Sequence, residues 1–215
     1  MSQVRQQNFK EYKRQVSDDA YYHRPNDFLK EGEDHINLSI QSTTRLGKVF
    51  DPAYLKVVNY PYIGKFCSVF SLWSWLKADA VDDSLRRLTG PQLRKHVRYK
   101  KMSMSSVPNF KAIVAYATWM KIKDYPSLLE EIKKLSPEVK LLSYDLVKGS
   151  ELRVCTKYAP LIISIANHIV AAVQEDREPD FSEFLDKPHL SALNYLEGAL
   201  EKVFPKEKIE ALKSQ

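Results

Sequence analysis

Residues 67–90, CSVFSLWSWLKADAVDDSLRRLTG, carry the clearest helical pattern in the chain. Ser68 is a favourable N-cap, because its hydroxyl can accept a hydrogen bond from an amide of the first turn that has no partner inside the helix. Val69, Leu72, Trp73, Leu76 and Ala80 follow at spacings of three and four, which places them on one helical face. Gly90 and Pro91 read as the stop, since glycine accepts a left-handed conformation and proline cannot continue a helix. The pattern therefore predicts a central helix over about residues 68–88. Trp73 and Trp75 stand about 200° apart on that helix. Trp73 is expected in the core, and Trp75 is expected at a pocket, at an interface or on a partly covered surface.

Working outward, residues 35–40 (HINLSI) alternate apolar and polar side chains and predict a strand. A polar turn over 41–47 follows, then a β-rich run at 54–58, and Asn59, Tyr60, Pro61 and Gly64 mark a turn into the central helix. Downstream, Pro91 opens a short helix expected to run to Tyr99. Arg86, Arg87, Arg94, Lys95, Arg98, Lys100 and Lys101 form a basic band. Such a band is read either as a phosphate-binding patch or as a solvated face. A Ser-rich connection at 102–108 leads into an amphipathic helix that starts at Phe110 and ends before Pro126. Residues 127–135 predict a compact helix with Glu130 and Lys134 paired at i, i+4. Residues 139–147 predict a strand, and the apolar run at 159–173 a buried helix.

This order predicts an α+β fold, mainly helical, with a small sheet containing residues 36–40 packed by the central helix. Residues 1–34 read as an N-terminal extension, in which Phe9, Tyr12 and Val16 line one face of a short helix. Residues 35–173 read as the domain. Residues 174–215, segmented by Pro179, Pro188 and Pro205, read as a helical tail expected to be dispensable for folding.

Composition bounds the function. The 215 residues include 44% hydrophobic and 28% charged positions, ordinary for a soluble globular chain. A formal net charge of +6 fits either an anionic partner or a solubility role. Cys67 and Cys155 sit in apolar surroundings and read as reduced core residues, which points to a cytoplasmic setting. The polar N-terminus lacks a signal-peptide pattern. The longest apolar run, at 159–173, falls short of the about 20 residues a membrane span needs. No histidine has a second His or Cys at metal-ligand spacing, so no metal is expected.

Phosphate-cradling glycine loops and the common hydrolase signatures are lacking. What carries chemistry is an arrangement: Leu46-Gly47-Lys48, then Ser68-Val69 with Trp75-Leu76-Lys77 on the central helix, then Leu85-Arg86-Arg87-Leu88-Thr89-Gly90 and a basic helix. From about Ile36 to Val173 this order resembles the NADAR superfamily, particularly the versions carried by large tailed phages. That family places a Leu-Gly-Arg-like turn, a helix of the form Ser-Val-Glu-x-x-x-x-Trp-Leu-Lys and a Leu-Arg-x-Leu-x-Gly segment in the same sequence.

The resemblance implies an α+β domain that binds an ADP-ribose-like ligand and hydrolyses an N-glycosidic bond, with ADP-ribosylated bases and phosphoribosyl-amino compounds as substrate types and no cofactor. Cleavage of such a bond passes through an oxocarbenium-like state, so a carboxylate should face the sugar. Cations should hold the phosphates and aromatic rings the base. By position, the ligand contacts implied are Gly47, Lys48, Phe70, Trp75, Lys77, Arg86 and Lys95. The family glutamate is here Phe70, and the asparagine of the preceding loop is Pro52. Losing that carboxylate removes both charge stabilisation and a base. Three readings follow. One is an impaired NADAR-like protein that still binds an ADP-ribosyl or nucleotide ligand. Another is an active glycosidase using Asp51 or Asp79 as a displaced carboxylate. The third is a basic phage-type binding protein, in the host cytoplasm, that engages nucleic acid or a host or virion protein. None of these readings requires a membrane.

Overall fold

The computed structural model describes residues 21–23, 30–60, 63–78, 82–96, 109–147, 153–155 and 158–186. Among these, the strands are β1 (Tyr21–His23), β2 (His35–Asn37), β3 (Val58–Tyr60), β4 (Gly64–Phe66), β5 (Lys140–Leu142), β6 (Asp145–Leu146) and β7 (Arg153–Cys155). The α-helices are α1 (Arg45–Phe50), α2 (Val69–Lys77), α3 (Gly90–Lys95), α4 (Phe110–Ile122), α5 (Pro126–Lys133) and α6 (Ala159–Gln174), with 3-10 turns at Asp83–Arg87 and Ser182–Phe184. The protein is thus a mixed α/β chain with small sheets. No described helix is long and apolar enough to cross a membrane. The chain forms two compact units: Met1–Asp51 with Glu130–Gln174, and Pro52–Leu129 with Glu175–Gln215.

In the first unit β2 and β5 pair in parallel, with Ile36 opposite Leu141. A parallel pair needs a long crossover, and here the connection contains most of the second unit. β7 lies between β1 and β6, antiparallel to both. The strand expected over 35–40 is shorter. Leu38 still donates its N–H to the Leu142 carbonyl at 2.6 Å, but the chain then turns, and Ile40 is 49% exposed. The single strand expected over 139–147 is two short strands. Between them Tyr144 N–H leaves the ladder to donate to the Asn37 side-chain oxygen at 3.0 Å.

In the second unit β3 and β4 form a hairpin whose Gly64 adopts φ +83°, a conformation that favours glycine. Only Val58 of the β-rich run at 54–58 enters the ladder, and Leu55 and Val57 stay exposed. Ser68 caps α2 as expected. Its hydroxyl accepts the Ser71 N–H at 3.1 Å, and the Ser71 hydroxyl accepts the Ser68 N–H at 3.0 Å, a reciprocal capping box. Every residue of α2 is buried. The helix packs against the 83–87 turn, α3, α4 and β4, so its sheet partner is the hairpin, while the strand at 35–37 belongs to the other unit. Such enclosure needs the buried polar groups answered, and the Ser74 hydroxyl donates to the Phe70 carbonyl at 2.7 Å.

Two expectations are corrected here. The central helix does not run to residue 88. It ends at Lys77, and Asp82 restarts the chain as a 3-10 turn by accepting the Ser84 N–H. Gly90 opens α3 instead of closing a helix; Thr89 and Gln92 cap it, and a Cβ at Gly90 would lie 3.3 Å from that of Ala53. Residues 175–186 lie in the second unit. Phe181 and Phe184 are buried, Phe181 meets the Tyr116 ring edge-on, and Glu178 accepts the Trp119 indole N–H at 3.1 Å. Asn109 and Asp186 exchange two hydrogen bonds at the start of α4. Residues 175–186 therefore pack on that unit, with Pro179, Phe181 and Phe184 turned inward and Glu175–Glu178 exposed.

Candidate functional site

The first unit gathers polar side chains around the turn that follows β2. Glu31 holds this turn from one side: its carboxylate accepts the Asn37 N–H at 3.2 Å, the Thr43 N–H at 3.0 Å and the Ser42 hydroxyl. Asp51, one of the two candidate carboxylates, follows the end of α1 and accepts the Ile40 N–H at 2.8 Å. Asp145 accepts the Ser39 hydroxyl at 3.2 Å, and Gln41 accepts the Leu146 N–H at 2.6 Å. The turn is thus fixed by side chains from both segments of the unit.

Gly47 lies inside α1 and not in a turn. A Cβ there would come within 2.3 Å of both the Asn37 carbonyl oxygen and the Ser42 Oγ. Close packing of α1 on β2 is what demands glycine at this position. Lys48 is half-buried in the last turn of the same helix.

Beneath this turn runs a relay. His35 is fully buried; its Nδ1 lies 2.8 Å from the Asp34 carboxylate and its Nε2 2.8 Å from the Tyr144 hydroxyl. A carboxylate only accepts, so Nδ1 carries a proton; in the neutral ring Nε2 then accepts the Tyr144 O–H. Tyr144 is buried, and burial raises its pKa; the Glu31 and Asp34 carboxylates add to that, while the Arg153 guanidinium over its ring opposes it. The phenol is accordingly held neutral. Sequence reading passed over Glu31, Asp34, His35, Tyr144, Asp145 and Arg153. The adjacent Asp34-His35 pair was the one local signal, and it gave no hint of a partner 109 residues away.

The other candidates sit in the second unit. Phe70, at the glutamate position, is 7% exposed; its ring meets Trp73 edge-on at 5.3 Å and its N–H donates to the Pro52 carbonyl. Trp75 is buried as fully as Trp73, which excludes one of its expected placements, the partly covered surface. Both tryptophans can be inside because α2 is enclosed all round. The Trp75 indole N–H donates to Asp83 at 3.0 Å, and its ring packs edge-on against Phe66.

Arg86, expected on a phosphate, is engaged within the unit. Its guanidinium stacks 4.2 Å from the Trp75 ring centroid and 4.5 Å from that of Phe66, Nε donates to Asp83 at 2.8 Å, and another nitrogen donates to the Ile63 carbonyl. Lys77 is buried, not solvated, and Lys95 is exposed on α3. Asp79, Arg98, Lys100 and Lys101 lie outside the described residues.

The structure therefore joins Gly47, Lys48 and Asp51 in one unit, and Phe70, Trp75, Lys77, Arg86 and Lys95 in the other. The first unit also has a surface cavity of about 210 Å³ along β5 and α6, lined in part by Leu141, Asn167, Val170 and Gln174. None of the candidate residues lines it. No group of three or more His, Cys, Asp or Glu among the described residues is arranged to hold a metal ion. No protein-family model, curated protein or solved structure matches the chain.

Proposed function

We propose that this chain is a divergent NADAR-like protein that binds an ADP-ribosyl or nucleotide-type ligand and is catalytically impaired as an N-glycosidase. The observation that carries this reading is Phe70. At the position where the resembled family has glutamate stands a buried phenyl ring, packed on Trp73, in a first helical turn with no acidic residue. Such a ring neither activates water nor offers more than weak π-face stabilisation to a cationic sugar. Asp51, the described alternative, already accepts a backbone N–H.

Two measurements test the reading. ADP-ribose should raise the melting temperature of the full chain, since a ligand bound only by the folded state adds about 2.7 kcal/mol at a hundredfold excess over its Kd. Incubation with ADP-ribosylated guanosine, followed by chromatography, should release no base. Turnover abolished by Asp51→Asn or Asp79→Asn would replace the impaired reading with an active enzyme. Absence of any shift with ADP-ribose would remove the ligand.

A further inference from the structure

We propose that the exposed basic residues Arg87, at the end of the 83–87 turn, and Arg94 and Lys95, of the α3 helix that follows it, bind a polynucleotide through its phosphate backbone. This goes beyond the ligand reading above and does not depend on it.

Four observations carry the proposal. First, Arg87, Arg94 and Lys95 are exposed, and no side-chain hydrogen bond or ion pair engages any of the three among the described residues. Second, the two local aspartates are already answered. Asp82 accepts the Ser84 N–H and hydroxyl and lies 3.5 Å from His96, and Asp83 takes the Arg86 Nε and the Trp75 indole. Third, one local arginine, Arg86, is locked against Trp75 and Phe66, so the turn that presents Arg87 is itself held in place. Fourth, the large hydrophobic side chains exposed among the described residues are Ile40, Leu55, Val57 and Leu146, and none falls in 82–96.

The fourth observation chooses the partner. A protein partner ordinarily needs apolar or aromatic anchors at the centre of the contact. A phosphate backbone needs only cations, and arginine's planar fork suits phosphate oxygens. The sequence continues the same charge with Arg98, Lys100 and Lys101.

Fluorescence anisotropy of the full chain with a labelled single-stranded oligonucleotide, from 50 to 200 mM salt, tests this. Binding should weaken steeply as salt rises. Neutralising Arg87→Gln, Arg94→Gln and Lys95→Gln together should cost about tenfold or more in affinity at low salt and flatten the log–log salt slope by roughly 2, about 0.7 for each phosphate no longer neutralised. The charge-matched variant Lys133→Gln, Lys134→Gln, Lys140→Gln, on exposed lysines of the other unit, should keep affinity and slope. Arg94→Lys with Arg87→Lys should retain most of the binding. All three variants should melt like the parent, as the altered side chains are exposed. Salt-independent binding, equal losses in the two neutralised variants, or tighter binding to poly-glutamate or to phosphatidylserine vesicles than to the oligonucleotide would each overturn the proposal. A retained ADP-ribose shift in the double variant Arg87→Gln, Arg94→Gln, which leaves Lys95 in place, would separate these residues from the ligand reading.

Discussion

Around His35 the interior of the first unit is joined by hydrogen bonds between side chains and backbone, whereas around Trp75 the interior of the second is filled by interlocking aromatic rings. The Asp34–His35–Tyr144 relay and the carboxylates of Glu31, Asp51 and Asp145 fix particular donors and acceptors in defined directions. Phe66, Trp75, Phe70, Trp73 and Phe110 instead meet edge-on in pairs, with Arg86 laid over two of them. Hydrogen bonds are directional and add little net stability each, but an orphaned buried partner is costly. Aromatic burial is less directional and contributes more per residue. The first unit should therefore be sensitive to the identity of single polar atoms, and the second to volume.

The largest effect expected from that contrast is at Trp75. Trp75→Ala should cost about 3–5 kcal/mol, because it opens a cavity in a fully enclosed helix and leaves Arg86 and Phe66 without their ring partner. Denaturant unfolding followed by circular dichroism measures this, and a loss below about 1 kcal/mol would mean that α2 is not packed as described.

Next is Gly47→Ala, expected to cost about 1–3 kcal/mol by overpacking. One atom in its way is a backbone carbonyl of β2, so shortening Ser42 alone should not restore stability. Full rescue by Ser42→Gly in the same unfolding assay would break the argument.

Smaller again is Tyr144→Phe, which leaves the buried His35 Nε2 without its hydroxyl and should cost about 1–2 kcal/mol. A double-mutant cycle with His35→Gln sharpens the comparison: coupling above about 0.5 kcal/mol identifies a working relay, and strict additivity dissolves it.

The smallest effect at neutral pH, and a clear one in alkali, belongs to Tyr60. Burial, with Tyr116 beside it, pushes its pKa far above the usual value of 10.0, and the two rings meet edge-on. The folded state thus keeps a proton that the unfolded chain releases. Stability from this group is complete below pH 10 and falls as pH rises above it. Tyr60→Phe should leave the melting temperature at pH 7 nearly unchanged and reduce its decline between about pH 10 and 11.5. An unchanged alkaline decline would assign it elsewhere, Tyr144 included.

Legibility followed the range of the interactions. The Ser68 cap and the buried face of α2 were readable, because a cap and an i, i+3, i+4 pattern are settled within a few residues. The end of α2 was not. Residues 83–88 still carry apolar and basic residues in plausible register, but Asp82 offers a competing local cap that restarts the chain as a 3-10 turn. Gly90 was read from its conformational freedom, although what it supplies is room against Ala53. The strand at 139–147 was legible as β structure, but its interruption depends on the Asn37 side chain more than a hundred residues earlier.

Composition and local pattern alone are enough for the mixed helix–strand character, the capped start of the central helix, the phenylalanine at its first turn and the unbalanced charge of 86–101. These are properties of composition and of neighbours along one turn. Only the tertiary structure decided that both tryptophans are inside, that Arg86 is bound within the unit while Arg87, Arg94 and Lys95 remain exposed, that Gly47 serves a close contact, and that His35 meets Tyr144. Each of these depends on which distant segment fills the space beside a residue. Burial and hydrogen-bond partners are set by that packing, and a one-dimensional pattern records only which residues are able to take part in it.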